Sequence, residues 1–367
     1  MDGPVLRVVR ADRGAVLVVP DDALLQGDPH PGTRAGAGSA PDGDAHRREV
    51  RALLDRDGAA PSDDPAAEGG RLVPTVGDRV RVERTADPGA APRVVEVLPR
   101  RTALVRDSAG GTSRTQALAA NVDVVLVVEH LDPDPDLGRL ERMLTLAWRS
   151  GAQPVVVLTK ADLVPDPDGM AAEVAAVALA VPVHAVSASR DEGLDAVRAL
   201  LAPGVTLVVV GPSGAGKSTL VNALAGRDVM AVGARREGDG RGRHTTTHRE
   251  LVPLAGGAML VDTPGIRTVG LVADDDALDA TFADVRTLAE ACRFADCSHA
   301  SEPGCAVRAA LESGELPQRR YDSWLKLGRE AAFQARRADV RLAAEERRRW
   351  KHVHREARSR ARHRPGR

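Results

Sequence analysis

The chain has 367 residues, enough for two or three domains, and at 43% hydrophobic it can bury a core. It holds no apolar run long enough to span a bilayer, and Asp2, Arg7, Arg10, Asp12 and Arg13 near its start exclude a signal peptide, so a cytoplasmic protein with no membrane partner is expected. The formal net charge of -1 hides an asymmetry: residues 318–367 hold 17 Lys or Arg against 6 Asp or Glu, an excess of 11 on an otherwise acidic chain, which reads as a polyanion-binding tail.

In chain order, Val5-Leu6-Arg7-Val8-Val9 and Ala15-Val16-Leu17-Val18-Val19 are short apolar alternations that predict strands. Residues 26–46 and 55–71, rich in Gly, Pro, Asp and Ala, read as loops or disordered insertions, with a strand candidate at 47–54 between them. Strand patterns return at 78–83, 93–98 and 102–105. Short strands with turns predict a small barrel over residues 1–118, an OB-fold or another small β-barrel. Every aromatic of the chain lies at or beyond Trp148, so this barrel must pack on Val, Leu and Ala.

From Asn121 the texture changes. The near-continuous apolar run at 122–128 predicts a strand buried on both faces of a parallel sheet, and runs at 154–158, 181–186, 205–210 and 258–261 are similar. Helical patterns intervene at 137–150, 170–180, 193–201, 216–225 and 274–290. The alternation predicts a doubly wound α/β domain over 119–273, whose ligands bind at the C-terminal ends of its strands. Residues 274–367 hold all three Cys, then a helical stretch at 307–362 that turns basic from Arg319.

Gly211-Pro212-Ser213-Gly214-Ala215-Gly216-Lys217-Ser218, followed by Thr219, is a full P-loop match between a strand and a helix. Its glycines let backbone N–H groups turn toward phosphates, Lys217 reaches the β- and γ-phosphates, and the Ser218 hydroxyl ligates Mg²⁺. Thr159-Lys160-Ala161-Asp162 reads as a guanine motif. The Asp162 carboxylate accepts from N1–H and the 2-amino group, donors that adenine lacks, while the Lys160 stem lies along the base. Taken alone, Thr-Lys-x-Asp can also be a helix cap. Ser187-Ala188-Ser189 ends another strand and fits either a contact to guanine O6 or an ordinary cap.

Asp262-Thr263-Pro264-Gly265 reads as switch II, with Asp262 holding Mg²⁺ through water and the Gly265 N–H at the γ-phosphate. Lys217, Ser218, Asp262 and Gly265 form the expected catalytic set. Many GTPases carry a catalytic Gln after that glycine; Ile266 here can neither orient nor activate water, so slow hydrolysis that needs outside help is expected. The stretch 238–247 ends in His244-Thr245-Thr246-Thr247. One of these threonines, with Thr246 and Thr247 the candidates, is the expected switch I ligand of Mg²⁺. His244 and His248 either place water or contact RNA.

An ordinary GTPase runs P-loop, switch II, base motif. Here the base motif comes first, so the domain reads as circularly permuted, and switch II becomes the last nucleotide-sensing segment before the C-terminal region. Only four of the 51 basic residues are Lys, and two of those, Lys160 and Lys217, fall in these motifs, where the larger, forked Arg would not serve. Cys292, Cys297, His299 and Cys305 read C-x₄-C-x-H-x₅-C, a closed tetrahedral set for one structural Zn²⁺ with no open position for catalysis.

Together these residues resemble the small-ribosomal-subunit-dependent GTPase A family (RsgA, also called YjeQ). Val76-Gly77-Asp78-Arg79-Val80, Ala119-Ala120-Asn121-Val122-Asp123, Gly242-Arg243-His244-Thr245-Thr246-Thr247, the permuted order and the Cys–His spacing carry the resemblance over nearly the whole chain. It implies an OB domain, a permuted GTPase domain and a zinc domain. It also implies subunit-stimulated hydrolysis of GTP to GDP and phosphate, a role in late maturation of the small ribosomal subunit, and binding to its rRNA; a monomer is expected. The chain departs from the family in its Gly/Pro-rich insertions and in a barrel without aromatics, where base stacking gives way to Arg and backbone contacts. The competing reading is a translation- or stress-related RNA-binding GTPase with another RNA target. Asp162 argues against an ATPase or small-molecule kinase, and the intact Lys217, Ser218 and Asp262 against a vestigial nucleotide site.

Overall fold

Alternating apolar residues build the first strands of the computed structural model, which describes residues 4–12, 14–21, 49–55, 57–67, 69–84, 87, 90–107, 115–230, 249–262 and 274–338. The strands β1 (Val5–Asp12), β2 (Ala15–Pro20), β3 (Val50–Leu53), β4 (Ala60–Pro61), β5 (Arg71–Leu72), β6 (Arg79–Glu83) and β7 (Arg93–Val97) come first. The pairs β1–β2, β2–β3, β6–β7 and β1–β6 are antiparallel, and a parallel contact of Leu53 with Arg93 closes a five-stranded OB-like barrel. Its interior is Leu6, Val8, Val16, Val18, Ala52, Val80, Val94 and Val97, the aliphatic packing that the aromatic-free sequence requires.

The segment 55–71, expected to be loop or disorder, is ordered at its ends. Ala60 and Pro61 of β4 pair antiparallel with Leu72 and Arg71 of β5, and Ala60 and Leu72 join the barrel core. Hydrogen bonds do the rest: the buried Asp64 carboxylate accepts from the N–H of Ala66 at 2.8 Å and of Arg100 at 2.7 Å. Satisfied polar groups replace apolar area there, which composition cannot show. The insertion at 26–46 lies outside the described residues. The strand candidate at 102–105 belongs to β8 (Ala103–Asp107), which pairs with β9 (Thr115–Ala120) rather than with the barrel.

The α/β part follows: β10 (Val124–His130), α1 (Leu137–Ser150), β11 (Gln153–Thr159), α2 (Pro167–Ala175), β12 (Val183–Ala185), α3 (Asp195–Arg198), β13 (Thr206–Val210), α4 (Lys217–Ala225), β14 (Glu250–Pro253) and β15 (Met259–Asp262). The strand order is β12-β11-β10-β13-β15-β14, parallel except for β14. Strands β10 and β11 are buried almost throughout, as their unbroken apolar runs require. Strand β14, too short and mixed to announce itself, pairs on its other side with β1 through Glu250 and Arg10, so barrel and nucleotide sheet are continuous.

The two quoted family segments meet in this unit. Gly77 has φ +89°, and a Cβ there would lie 2.1 Å from the Ala120 carbonyl oxygen. Ala120 N–H donates to the Val76 carbonyl at 2.9 Å, and the Asn121 amide and the buried Arg7 guanidinium each donate to the Gly77 carbonyl at 3.0 Å.

Contacts divide the chain into two units, Met1–Arg106 with Ala117–Val269, and Asp107–Gln116 with Gly270–Arg367. The second contains α5 (Asp275–Thr281), α6 (Ala283–Glu290), α7 (Ala306–Ser313) and α8 (Gln318–Ala338). The helical pattern at 274–290 breaks at Phe282, whose buried ring leaves the helix line at φ -117°, ψ 44°. The Arg320 guanidinium stacks 4.4 Å above that ring, pairs with Asp284 at 2.9 Å and donates to the Thr281 carbonyl at 2.8 Å. One arginine of the basic tail is thus a core residue. Among the described residues no helix is long and apolar enough to cross a membrane.

Candidate functional site

The P-loop leaves β13 pressed against its neighbour. Gly211 has φ +154°, and a Cβ there would stand 2.2 Å from the Val128 carbonyl oxygen of β10. Gly214 and Gly216 also have positive φ, so the loop folds into a concave turn and delivers the chain to α4, whose first residue is Lys217. N–H groups of such a turn and helix start converge on an anion. The Lys217 ammonium folds back across the loop and donates to the carbonyls of Gly211 at 2.9 Å and Pro212 at 2.5 Å. Pro212, Ser218 and Thr219 are half-buried, Ser213 is exposed and Ala215 is buried.

The base motif sits beside this loop because β11 and β13 both flank β10. Thr159, the last residue of β11, is 2% exposed and donates its hydroxyl to the Ala215 carbonyl at 2.7 Å, with the Glu129 carbonyl at 3.2 Å. Lys160 adopts φ +63°, and this left-handed residue turns the chain into a short 3-10 turn at Ala161–Leu163. Asp162 then faces the end of β12, where Ser187 Oγ donates to Asp162 Oδ1 at 2.7 Å and the Ala161 N–H donates to the Val186 carbonyl at 3.1 Å. The Ser187 hydroxyl is the main cause holding the Asp162 carboxyl below the usual carboxylate range; its slight desolvation opposes, and the Arg190 charge adds. Lys160 Nζ donates to the Asp132 carbonyl at 2.9 Å.

Ser187 does not cap a helix. Its N–H goes to the Glu192 carbonyl, and α3 starts at Asp195 with Leu194 before it. Two residues at this site escape sequence reasoning. Arg190 Nε stands 3.6 Å from Asp162 Oδ2. Glu129, fully buried at the end of β10, takes a forked pair from Arg139 of α1 at 2.8 and 2.9 Å. Their only sequence signals are a charge near the end of an apolar strand for Glu129 and a charge in the turn after one for Arg190. Asp262 ends β15, the strand next to β13. Thr263, Pro264, Gly265 and Ile266, with His244, Thr245, Thr246, Thr247 and His248, lie outside the described residues.

The helical unit brings Cys292, Cys297, His299 and Cys305 together, with their ligand atoms within 4.8 Å of one another. Around a tetrahedral ion with Zn–S near 2.3 Å and Zn–N near 2.0 Å, ligand edges are about 3.8 Å for S···S and about 3.5 Å for S···N. Cys292 Sγ and Cys305 Sγ are 3.9 Å apart, and His299 Nδ1 lies 3.6 Å from the first and 3.5 Å from the second, so the cluster fits such an ion. His299 has φ +59°. The Glu302 carboxylate gathers the N–H groups of Ser298, Ala300 and Ser301 and holds the knuckle. Burial pushes the Cys297 thiol up to about 11, whereas at Cys292 the N–H groups of Val307 and Ala306 and the neighbouring thiols outweigh burial and lower it.

Residues 97–272 match the RsgA GTPase family model. The chain is 53% identical over 285 residues to the small ribosomal subunit biogenesis GTPase RsgA of Streptomyces avermitilis, covering 77% of this chain and 75% of that protein. With the protein of the same description from Streptomyces coelicolor it shares 47% over 354 residues, 94% of this chain and 85% of the other. Among solved structures, YjeQ from Thermotoga maritima aligns with TM-score 0.58 at 23% identity over 90% of this chain and 98% of its own. YloQ, described as a circularly permuted GTPase, aligns with TM-score 0.56 at 22% identity over 91% and 96%. At such identities the two structures speak for the fold.

Proposed function

Because the chain belongs to the RsgA GTPase family, whose relatives are small ribosomal subunit biogenesis GTPases, we propose that it binds GTP where β10, β11 and β13 meet and hydrolyses it to GDP and phosphate on the small ribosomal subunit. The observation that carries this reading is the hydrogen bond from Thr159 to Ala215, which makes base motif and P-loop one site despite their reversed order in the chain. Phosphates take the N–H groups of residues 213–216 and of the α4 start. Lys217 exchanges its two loop carbonyls for β- and γ-oxygens, an exchange of neutral for anionic partners that strengthens as charge develops. Asp162 reads the guanine edge, with Ser187 fixing its orientation and Ala188 beside O6.

A hard oxygen set suits Mg²⁺: the Ser218 hydroxyl, Asp262 through water, and Thr246 or Thr247 would hold it, and when bound it neutralises charge between the β- and γ-phosphates. Ile266 places no water, so hydrolysis is slow until His244, His248 or the subunit supplies that order. The Cys–His cluster holds one structural Zn²⁺ and takes no part in the chemistry. The protein works as a cytoplasmic monomer with a barrel (1–118), a nucleotide domain (119–273) and a zinc-binding helical part (274–367).

The test compares GTP and ATP turnover with and without purified small subunits. Turnover should be specific for GTP and rise at least about tenfold with subunits, a coupling of 1–3 kcal/mol. Lys217→Ala should lower it by at least about a hundredfold while the zinc part stays folded. Equal use of ATP, or no response to subunits, rejects the reading. Since Arg320, Leu327 and Ala331 are core residues, a truncation that tests the tail removes only residues 339–367, which still hold 11 Lys or Arg against 4 Asp or Glu. It should weaken subunit binding and flatten its salt dependence, with basal turnover unchanged.

A further inference from the structure

The turn that carries Arg190 is unusually well fixed for a surface loop. Ser187 and Glu192 exchange both backbone hydrogen bonds at 3.0 Å, and the Arg190 N–H donates to the Ser187 carbonyl at 3.3 Å. Asp191, at φ +60°, is ion-paired with Arg198. Gly193, at φ +72°, lies so close to the Ala185 carbonyl that a Cβ would stand 2.5 Å from that oxygen. The backbone of the turn therefore fixes the point from which the Arg190 side chain reaches toward Asp162. The outer oxygen of Asp162 stands 3.6 Å from Arg190 Nε.

We propose that Arg190 is a built-in competitor of the guanine base: its guanidinium occupies Asp162 in the empty site and has to leave before the base can be read. The inference rests on Asp162 being the guanine acceptor. A carboxylate offers about four acceptor positions over its two oxygens. Ser187 takes one on Oδ1 from the protein side at 2.7 Å. Guanine presents N1–H and the 2-amino N–H as a parallel pair, which needs one position on each oxygen. One of these donors must reach Oδ2, the oxygen that the Arg190 guanidinium already faces at 3.6 Å, so base and guanidinium compete there by charge and by space. Lys160 offers no such competition, because its ammonium is drawn away to the Asp132 carbonyl. The Arg190 side chain is 58% exposed, so the pair is weak enough to be displaced.

Exposed pairs of this kind contribute little, and competition by one corresponds to an affinity lowered about two- to fivefold. Arg190→Ala should therefore bind GDP about two- to fivefold more tightly than the parent at low salt, measured with a fluorescent GDP analogue on the full chain. Because an exposed pair is screened by salt, the advantage should shrink toward none near about 0.5 M NaCl. A bystander arginine would show neither effect. Asp162→Asn, assayed with GDP and XDP, separates the two layers of the argument. Unchanged GDP binding in Asp162→Asn, with no gain for XDP, removes the base reading and the competitor with it. A switch toward XDP, combined with equal or weaker GDP binding in Arg190→Ala, overturns the competitor alone. In the Asp162→Asn background, Arg190→Ala should leave XDP binding unaltered, and an improvement there would also overturn it. Thermal melting of Arg190→Ala should match the parent, since the turn is held by backbone bonds.

Discussion

Thr159 donates its hydroxyl to the carbonyl oxygen of Ala215 at 2.7 Å, across 56 residues of chain, and so fixes the end of β11 to the middle of the P-loop. Thr159→Val keeps the shape and removes the donor. The buried Ala215 carbonyl is then left without that partner, at a cost of about 1–3 kcal/mol. The expected result is a weakening of GDP and GTP alike by about tenfold, read by fluorescence titration, with little change in base preference. Unaltered affinity would show that the loop holds its shape without Thr159.

Ser187 is the chief cause of the depressed Asp162 pKa, so Ser187→Ala should raise that pKa toward its ordinary value. A carboxylate with a lowered pKa stays charged, and keeps reading the base, as pH falls until that pKa is reached. Removing the hydroxyl should therefore move the acid limb of GDP binding to higher pH, toward the ordinary carboxylate value, measured between about pH 3 and 5. A limb that stays in place means another group titrates.

Metal analysis of protein purified without added metal should find close to one zinc per chain. Cys297→Ala should lose it and loosen the core of Leu278, Phe282, Cys305 and Leu327, because such sites fold with their metal. Trp324, whose ring centroid is 5.8 Å from that of His299, reports the change by fluorescence. The Cys297 thiol, raised to about 11, must give up a proton to bind, so zinc affinity should fall as pH is lowered. A metal-free protein with native Trp324 fluorescence would reject the site.

Gly77→Ala forces a side chain into left-handed backbone and against the Ala120 carbonyl, 2.1 Å from the new Cβ. Gly14, at φ +79° with nothing within 4 Å, carries only the first penalty. Gly14→Ala should cost about 1 kcal/mol and Gly77→Ala at least about 3 kcal/mol in denaturant unfolding. Equal losses would mean that the join of barrel and linker yields to the methyl group.

The sequence by itself determined what depends on local pattern. Unbroken apolar runs marked β10, β11, β13 and β15, because a strand buried on both faces has no polar side to show. Glycines at 211, 214 and 216 marked the phosphate turn, and the Cys–His spacing marked the metal cluster, because ligands from one short loop need no distant partner. The tertiary structure decided what depends on register between distant strands. Ser187, read alone as an O6 contact or a helix cap, became the partner of Asp162 only when β12 took its place beside β11. β14 became a strand only between β15 and β1, the 55–71 segment was ordered by hydrogen bonds to Arg100, and Arg320 left the basic surface for the Phe282 ring. In each case the deciding partner lies far along the chain, and the energy that orders the residue exists only after the fold has closed the distance.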